Sequence, residues 1–443
     1  MSETAPTTAI ILAAGLGTRM KSALPKTLHQ IAGRPMLHHL LDSCAQVFDR
    51  IVVVIGPGME QVAKACAPHA VVIQQDRLGT AHAALQAEAH FGKGDVAVLY
   101  ADNPLITPDT LRRLLARRSQ GDAALTLLAM RPTDPAKYGR VITEGQYVTA
   151  IVEWADATPA QREIGLCNAG VLCADATAMR AWLQRVRNDN SKGEYYLTDL
   201  VALARQDGLN VAAVEAPADE LRGVNSRAEL AEAEHVVQQA LRRRAMDNGA
   251  TLIGPETVFL SWDTQIGQDV TIGPSVVFAP GVIIGNNVEI RPFCHLESCQ
   301  VEDGAIIGPY ARLRPGTRVG QGAHVGNFVE LKATHLGAGA KANHLTYLGD
   351  AEIGPRSNIG AGTITCNYDG FAKHRTSVGA DVFVGTNSVL VAPVTLGDGA
   401  FTAAGSVITQ NVSPDAMAFG RAPQTEKPGR AAQFRAARGK PKG

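Results

Sequence analysis

The sequence predicts two folds in series, an α/β domain on a mostly parallel sheet and then a parallel β-helix of hexapeptide repeats. Three observations carry this. Short β-branched runs alternate with helical stretches from Thr8 to Asn225, and a six-residue period takes over from about Ala250. Gly also reaches 44 residues while aromatics are only 5% of the chain, a balance suited to tight turns and aliphatic packing. At 443 residues the chain exceeds one ordinary core, so more than one domain is expected.

In the first part the strand runs are AIILAAG from Ala9, RIVVVIG from Arg50, AVVIQQ from Ala70 and DVAVLYAD from Asp95. Segments 35–48 and 107–120 carry apolar residues at helical spacing, which puts helices on both sheet faces. Residues 227–246 hold Ala, Leu, Glu and Arg without Gly or Pro and read as one helix, capped by Ser226 and ended near Gly249. The expected boundaries are 1–226 for the α/β domain, 227–249 for a linker helix, 250–425 for the β-helix and 426–443 for a basic tail. That tail carries Lys427, Arg430, Arg435, Arg438, Lys440 and Lys442 against one acid and is expected to be disordered.

The β-helix rests on aliphatic-Gly pairs: Ile266-Gly267, Ile272-Gly273 and Ile284-Gly285, then in a shifted phase Ile307-Gly308, Val319-Gly320 and Val325-Gly326. After another slip come Leu348-Gly349, Ile353-Gly354 and Ile359-Gly360, and later Val384-Gly385 and Leu396-Gly397. Two residues before the aliphatic stands a small or β-branched side chain, as at Val270, Ala305 and Ser357. Residues two apart in a strand share a face, so both point inward, and Gly is expected to turn the chain at each corner. Three hexads then close one triangular coil, and coils stack because one alone has almost no interior. The repeat is silent on handedness.

Composition narrows the function. Lys plus Arg and Asp plus Glu both count 42, which removes the electrostatic case for a general nucleic-acid binder or membrane-surface protein and favours small-molecule partners. The start MSETAPTTAI lacks a basic segment followed by an apolar one, and no apolar run approaches a bilayer span, so a cytoplasmic location is expected. Seven Cys without a CxxC read as free thiols with no structural zinc, Cys294 and Cys299 serving packing.

Chemistry concentrates in two places. LAAGLGTRM, residues 12–20, is a glycine loop after the first strand, where backbone amides approach phosphate oxygens closely and Arg19 and Lys26 supply positive charge. Met20 stands where a GxGxxG fingerprint needs its third Gly, and no GxxxxGK[ST] occurs, so neither a nicotinamide site nor a P-loop is supported. Asp102, at the carboxyl end of another strand, fits either a metal carboxylate or a turn carboxylate capping Pro104. In the second part, Arg314, Lys332, His344, Tyr347, Asn358 and the insertion GAGTITCNYDG at 360–370 interrupt the repeat with polar groups that coil packing does not require.

Leu12–Met20, Pro25-Lys26, LGT at 78–80, Asp102 and GVN at 223–225 together resemble the sugar-1-phosphate nucleotidylyltransferases. With the hexapeptide repeats and KANHLTYLGDAEIG added, the chain from about Ala9 to Gln424 resembles the bacterial family of bifunctional N-acetylglucosamine-1-phosphate uridylyltransferases/glucosamine-1-phosphate acetyltransferases. The resemblance implies a Rossmann-like nucleotidyltransferase domain followed by a left-handed parallel β-helix. It implies acetylation of glucosamine 1-phosphate with acetyl-CoA, then uridylyl transfer from UTP, giving UDP-N-acetylglucosamine, a precursor of peptidoglycan and lipopolysaccharide.

By the same resemblance, UTP and the sugar meet Leu12, Ala13, Ala14, Gly15, Lys26, Gln74, Gly79, Thr80, Tyr100, Asp102, Gly139, Glu153, Asn168 and Asn225. Asp102 and Asn225 hold Mg2+, and Arg19 and Lys26 stabilise charge. In the β-helix His344 is the general base that deprotonates the attacking amine, with no Cys nucleophile. Arg314, Lys332, Tyr347, Asn358, Asn367 and Tyr368 bind the amino-sugar phosphate, and Ala361, Thr386, Ala404 and Arg421 line the acetyl-CoA site. A homotrimer with acetyl sites between neighbouring β-helices is implied. Leu16, Ala101, Ala169 and Asn343 depart from the family pattern, where Lys, Gly, Thr and another residue are expected. The alternative reading is a nucleotidylyltransferase whose β-helix serves only oligomerisation or regulation.

Overall fold

The computed structural model describes residues 5–135, 138–190 and 192–439, so Lys440 and Lys442 of the basic tail lie outside the described residues. The chain divides into two units, Met1–Ala240 and Leu241–Gly443, and the division falls inside the helix Arg227–Asp247.

In the first unit the all-buried run Thr8–Leu12 sits mid-sheet, parallel to Arg50–Ile55 on one side and Asp95–Tyr100 on the other. Ala70–Ile73 extends the parallel edge. Successive strand residues face opposite ways. Ile10 and Leu12 therefore join one core with Val52, Val54 and Val98, while Ala9 and Ile11 join the other with Val53 and Leu99. Helix Thr80–Gln86 places Ala81 and Ala84 in the first core; Met36–Ala45 and Pro108–Ser119 place Leu37, Leu40 and Leu111 in the second. The Thr107 hydroxyl caps the last helix by accepting from the Thr110 N–H at 3.3 Å.

Parallel order ends at the fifth position. Cys167–Asp175 runs antiparallel between Asp95–Tyr100 and Leu125–Met130, and the hairpin Arg140–Glu144/Tyr147–Val152 closes the far edge of a nine-stranded mixed sheet. The parallel half matters for function, because it brings the carboxyl ends of Thr8–Leu12 and Asp95–Tyr100 to one edge, where such sheets form ligand crevices. At the start of Arg227–Asp247 the Ser226 hydroxyl accepts from the Glu229 N–H at 3.2 Å. The Glu229 carboxylate in turn accepts from the Asn225 N–H at 2.7 Å, fixing that residue.

The second unit is a three-sided prism of parallel sheets with ten, eight and eight strands. Val270, Ile272, Ala305, Ile307, Ala323 and Val325 have no exposed surface, so both inward registers of the repeat are realised. Thr271 pairs with Glu289, a coil of three hexads, whereas Glu289 pairs with Ile306 and His324 with Lys341, each coil one residue shorter. These short coils are the physical origin of the phase slips. The coil from Asn358 to Phe383 is enlarged by the insertion.

The repeat glycines do not make the corners by left-handed backbone, with Gly308 (φ 91°) the exception. Left-handed φ falls two residues later, mostly at short polar residues such as Asp269 (57°), Ser275 (59°), Asn287 (55°) and Asp381 (57°), but also at the larger Phe328 (54°) and Arg356 (59°). Short polar side chains tolerate that conformation best. Gly is required by space: a Cβ on Gly354 would lie 2.3 Å from the Gly379 carbonyl oxygen of the next coil. Gly354→Ala is thus expected to destabilise the second unit by about 1–3 kcal/mol, read as a lowered denaturation midpoint.

The described part of the tail includes one short helical segment. Arg430–Arg438 is an exposed helix, consistent with RAAQFRAAR being rich in Ala and Arg, both strong helix formers. No helix among the described residues is long and apolar enough to cross a membrane.

Candidate active sites

The first site is built where the glycine loop leaves Thr8–Leu12. It is a cavity of about 260 Å³ lined by Leu12, Ala13, Ala14, Gly15, Lys26, Gln74, Gly79, Thr80, Tyr100 and Asp102, ten of the residues expected from sequence. Gly79 has φ 121°, and a Cβ there would lie 2.5 Å from the Tyr195 carbonyl oxygen, so only Gly fits. The Gln74 amide donates to the Gly79 carbonyl at 3.1 Å. Thr80 uses its hydroxyl to accept from the Leu197 N–H at 2.9 Å, and burial pushes the Tyr100 phenol up to about 12.

At one wall the Lys26 ammonium donates to the Asp102 carboxylate at 2.5 Å and to the Asn225 side-chain oxygen at 2.9 Å. Lys26 and Asp102 side chains are only 13% and 19% exposed. Two hard oxygen donors, one charged, therefore converge on a single positive group. That donor set fits Mg2+, which takes few protein oxygens and completes its shell with phosphate and water.

A second cavity of about 320 Å³ shares Thr80, Tyr100 and Glu194 with the first and holds Glu153. Burial raises the Glu153 pKa. A Cβ on Gly139 would sit 3.5 Å from the Glu153 carboxylate, and the Asn168 N–H donates to the Gly139 carbonyl at 2.8 Å, so these three expected residues are brought together. Arg19 is not. It is exposed on the turn Thr18–Met20 and does not line either cavity. Sequence reading missed Arg77, Thr27, Ala83 and Glu194, which do line the first cavity. Among the departures, Ala101 lines that cavity, Ala169 is buried, and Leu16 is 67% exposed.

The second site lies on the prism. His344 is exposed at the end of Lys341–His344, on a crevice of about 260 Å³ walled by Tyr310 and Phe328. Its Nδ1 pairs with the Asn327 side-chain oxygen at 2.8 Å across 17 residues, one coil. An amide oxygen only accepts, so Nδ1 carries the proton and Nε2 keeps a free lone pair. Asn343 lines the same crevice, with its Oδ1 buried and unpartnered, as is His324 Nε2.

Register extends this row. Leu345 N–H bonds to the Asn327 carbonyl, Gly362 to His344, Asn387 to Ala361 and Gly405 to Thr386. Asn327, His344, Ala361, Thr386 and Ala404 thus occupy the same corner of five successive coils. Arg421 stands apart, exposed beyond the last strand Met417–Ala418.

A polar cluster forms on the adjoining sheet. Lys332 binds Asp350 at 3.2 Å, Asn367 donates to the same carboxylate, and Arg314 binds Glu330 at 2.8 Å. A Cβ on Gly349 would meet the Tyr347 hydroxyl and the Asn367 amide, so Gly349 clears room for both. Burial raises the Asp350 pKa, but the Asn367 hydrogen bond and the Lys332 ammonium outweigh it and hold the carboxyl below its ordinary value. Asn358 lies on the outer face between Lys341 and Phe383, and Tyr368 is exposed with its hydroxyl donating to the Gly370 carbonyl at 2.6 Å. Asn327, Glu330, Asp350 and Lys373, whose pKa the Lys332 ammonium lowers, were missed in the sequence. Two of these had a usable signal: Asn327 stands one coil before His344, and Asp350 lies within KANHLTYLGDAEIG.

Cavities at the strand ends of an α/β sheet, followed by an imidazole on a hexapeptide prism, define a two-domain transferase. Residues 9–163 match the MobA-like NTP transferase domain, and 263–297, 298–333 and 375–410 match the bacterial transferase hexapeptide family of six repeats. The chain is 67% identical to Bifunctional protein GlmU of Gluconacetobacter diazotrophicus, covering 98% of this chain and 95% of that one. It is 64% identical to the protein of the same name from Acidiphilium cryptum (98% and 99% covered) and 62% identical to that from Granulibacter bethesdensis (97% and 96%). The chain belongs to the GlmU family of bifunctional proteins, and its prism is a left-handed parallel β-helix.

Proposed function

We propose that the first unit transfers UMP from UTP to N-acetylglucosamine 1-phosphate and that the prism acetylates glucosamine 1-phosphate with acetyl-CoA. Convergence of Lys26, Asp102 and Asn225 at one wall of the loop cavity carries the first half. The sugar phosphate oxygen attacks the α-phosphorus and pyrophosphate leaves, so the protein's work is positioning and charge stabilisation. The loop amides and Lys26 hold phosphate oxygens, and Glu153, Gly139 and Asn168 orient the sugar. Asp102 and Asn225 hold Mg2+, which when bound neutralises triphosphate charge. Arg19, exposed on the turn that ends the glycine loop, adds charge from outside the cavities.

The imidazole of His344, with Nδ1 tied to Asn327, carries the second half. Its Nε2 takes a proton from the sugar amine as that amine attacks the thioester, and coenzyme A leaves. The Arg314–Lys332–Tyr347–Asn367 cluster, with Asn358 and Tyr368, binds the sugar phosphate. Ala361, Thr386, Ala404 and Arg421 line the acetyl-CoA site. Association as a homotrimer and a cytoplasmic location complete the reading. The test is direct: the purified chain should release coenzyme A with glucosamine 1-phosphate and pyrophosphate with UTP plus N-acetylglucosamine 1-phosphate. A chain active only in the second assay would support the oligomerisation reading of the prism. Asn327→Ala is expected to lower kcat of acetyl transfer about tenfold, the worth of one oriented hydrogen bond, with the KM values little changed. Unchanged kcat would remove Asn327 from the mechanism.

A further inference from the structure

We propose that Arg77 is a further nucleotide-binding residue of the first site, offering its guanidinium to an anionic oxygen of the UTP triphosphate. This rests on the uridylyltransferase reading above. Among the described residues, two cationic side chains line the cavity, Lys26 and Arg77. The Lys26 ammonium is shared with Asp102 and Asn225, and the glycine loop's own cation, Arg19, is exposed outside the cavity. Arg77 therefore adds positive charge beside the glycine loop, beyond what Lys26 supplies to a triphosphate.

Its seating is specific. Nε donates to the Ala14 carbonyl of the glycine loop at 2.7 Å. The guanidinium lies over Gly56, where a Cβ would come within 2.2 Å of Nη2. The Nε bond uses one of five N–H donors, so the two Nη groups remain for a ligand oxygen, the forked geometry with which Arg recognises phosphate. Anchored to the loop and open to the cavity, Arg77 couples loop position to nucleotide charge.

Full-length Arg77→Gln is expected to raise the KM for UTP about 10- to 100-fold, the worth of a charge-assisted hydrogen bond, with kcat at saturation retained. Its KM should also depend less on salt than that of the parent. Calorimetry with uridine, UMP and UTP separates binding from loop support: a loss that grows with phosphate number supports the proposal. Equal losses for all three ligands, or an unchanged KM, overturn it. Gly56→Ala, which keeps the charge but pushes the guanidinium aside, should give an intermediate rise in KM, and no rise would also overturn it. Circular dichroism and thermal melting of the same preparations report that each variant is folded. A parent enzyme that fails to turn over UTP would instead count against the uridylyltransferase reading, so the two failures are distinguishable.

Discussion

Replacing Asp102 with Ala is expected to lower uridylyl transfer about 10³-fold or more while acetyl transfer stays at the parent rate. Asp102 stands where a parallel strand delivers its side chain to the cavity edge, and it is the carboxylate among the groups gathered there by Lys26 and Asn225. Its removal takes away the charge that would hold Mg2+ and leaves the Lys26 ammonium without its anionic partner in a spot less than one-fifth exposed. Asp102→Asn, which keeps the shape, separates charge from packing. Pyrophosphate release and coenzyme A release measured on one preparation check the result, with thermal melting as the control for folding. Retained uridylyl transfer, or loss of both activities in a folded variant, would defeat the two-site reading.

His344→Ala should do the reverse, lowering acetyl transfer about 10²- to 10⁴-fold, the range for a lost general base, with uridylyl transfer intact. The side chain is exposed and its hydrogen-bond partner among the described residues is Asn327, so its truncation opens no core cavity and costs little stability. Coenzyme A release by a folded His344→Ala variant at the parent rate would place the base elsewhere on the crevice. The pairing with Asn327→Ala is informative. If Asn327 acts through the imidazole, the double variant should be no slower than His344→Ala alone.

Much of the first unit was legible because parallel strands and amphipathic helices write their periods locally. Thr8–Leu12, Arg50–Ile55, Asp95–Tyr100 and both leading helices fall where alternation and helical spacing put them. The antiparallel insertion of Cys167–Asp175 was not legible, since strand direction depends on which neighbour the strand meets. Arg77 was missed for a similar reason: nothing in its neighbourhood of the sequence says that Gly56 leaves a slot for its guanidinium. In the tail, the Ala- and Arg-rich stretch RAAQFRAAR carries the helical propensity seen at Arg430–Arg438.

The β-helix draws the boundary sharply. By itself the sequence determined that residues beyond about 250 stack as triangular coils, because a six-residue beat of inward aliphatics can bury itself in no other way. Only the tertiary structure decided which residues share a corner. Coils of unequal length and the enlarged Asn358–Phe383 turn break any fixed count, yet strand pairing realigns Asn327, His344, Ala361, Thr386 and Ala404 into one row. It also decided why Gly recurs: the backbone of the next coil passes too close for a Cβ, a distance no single chain segment contains.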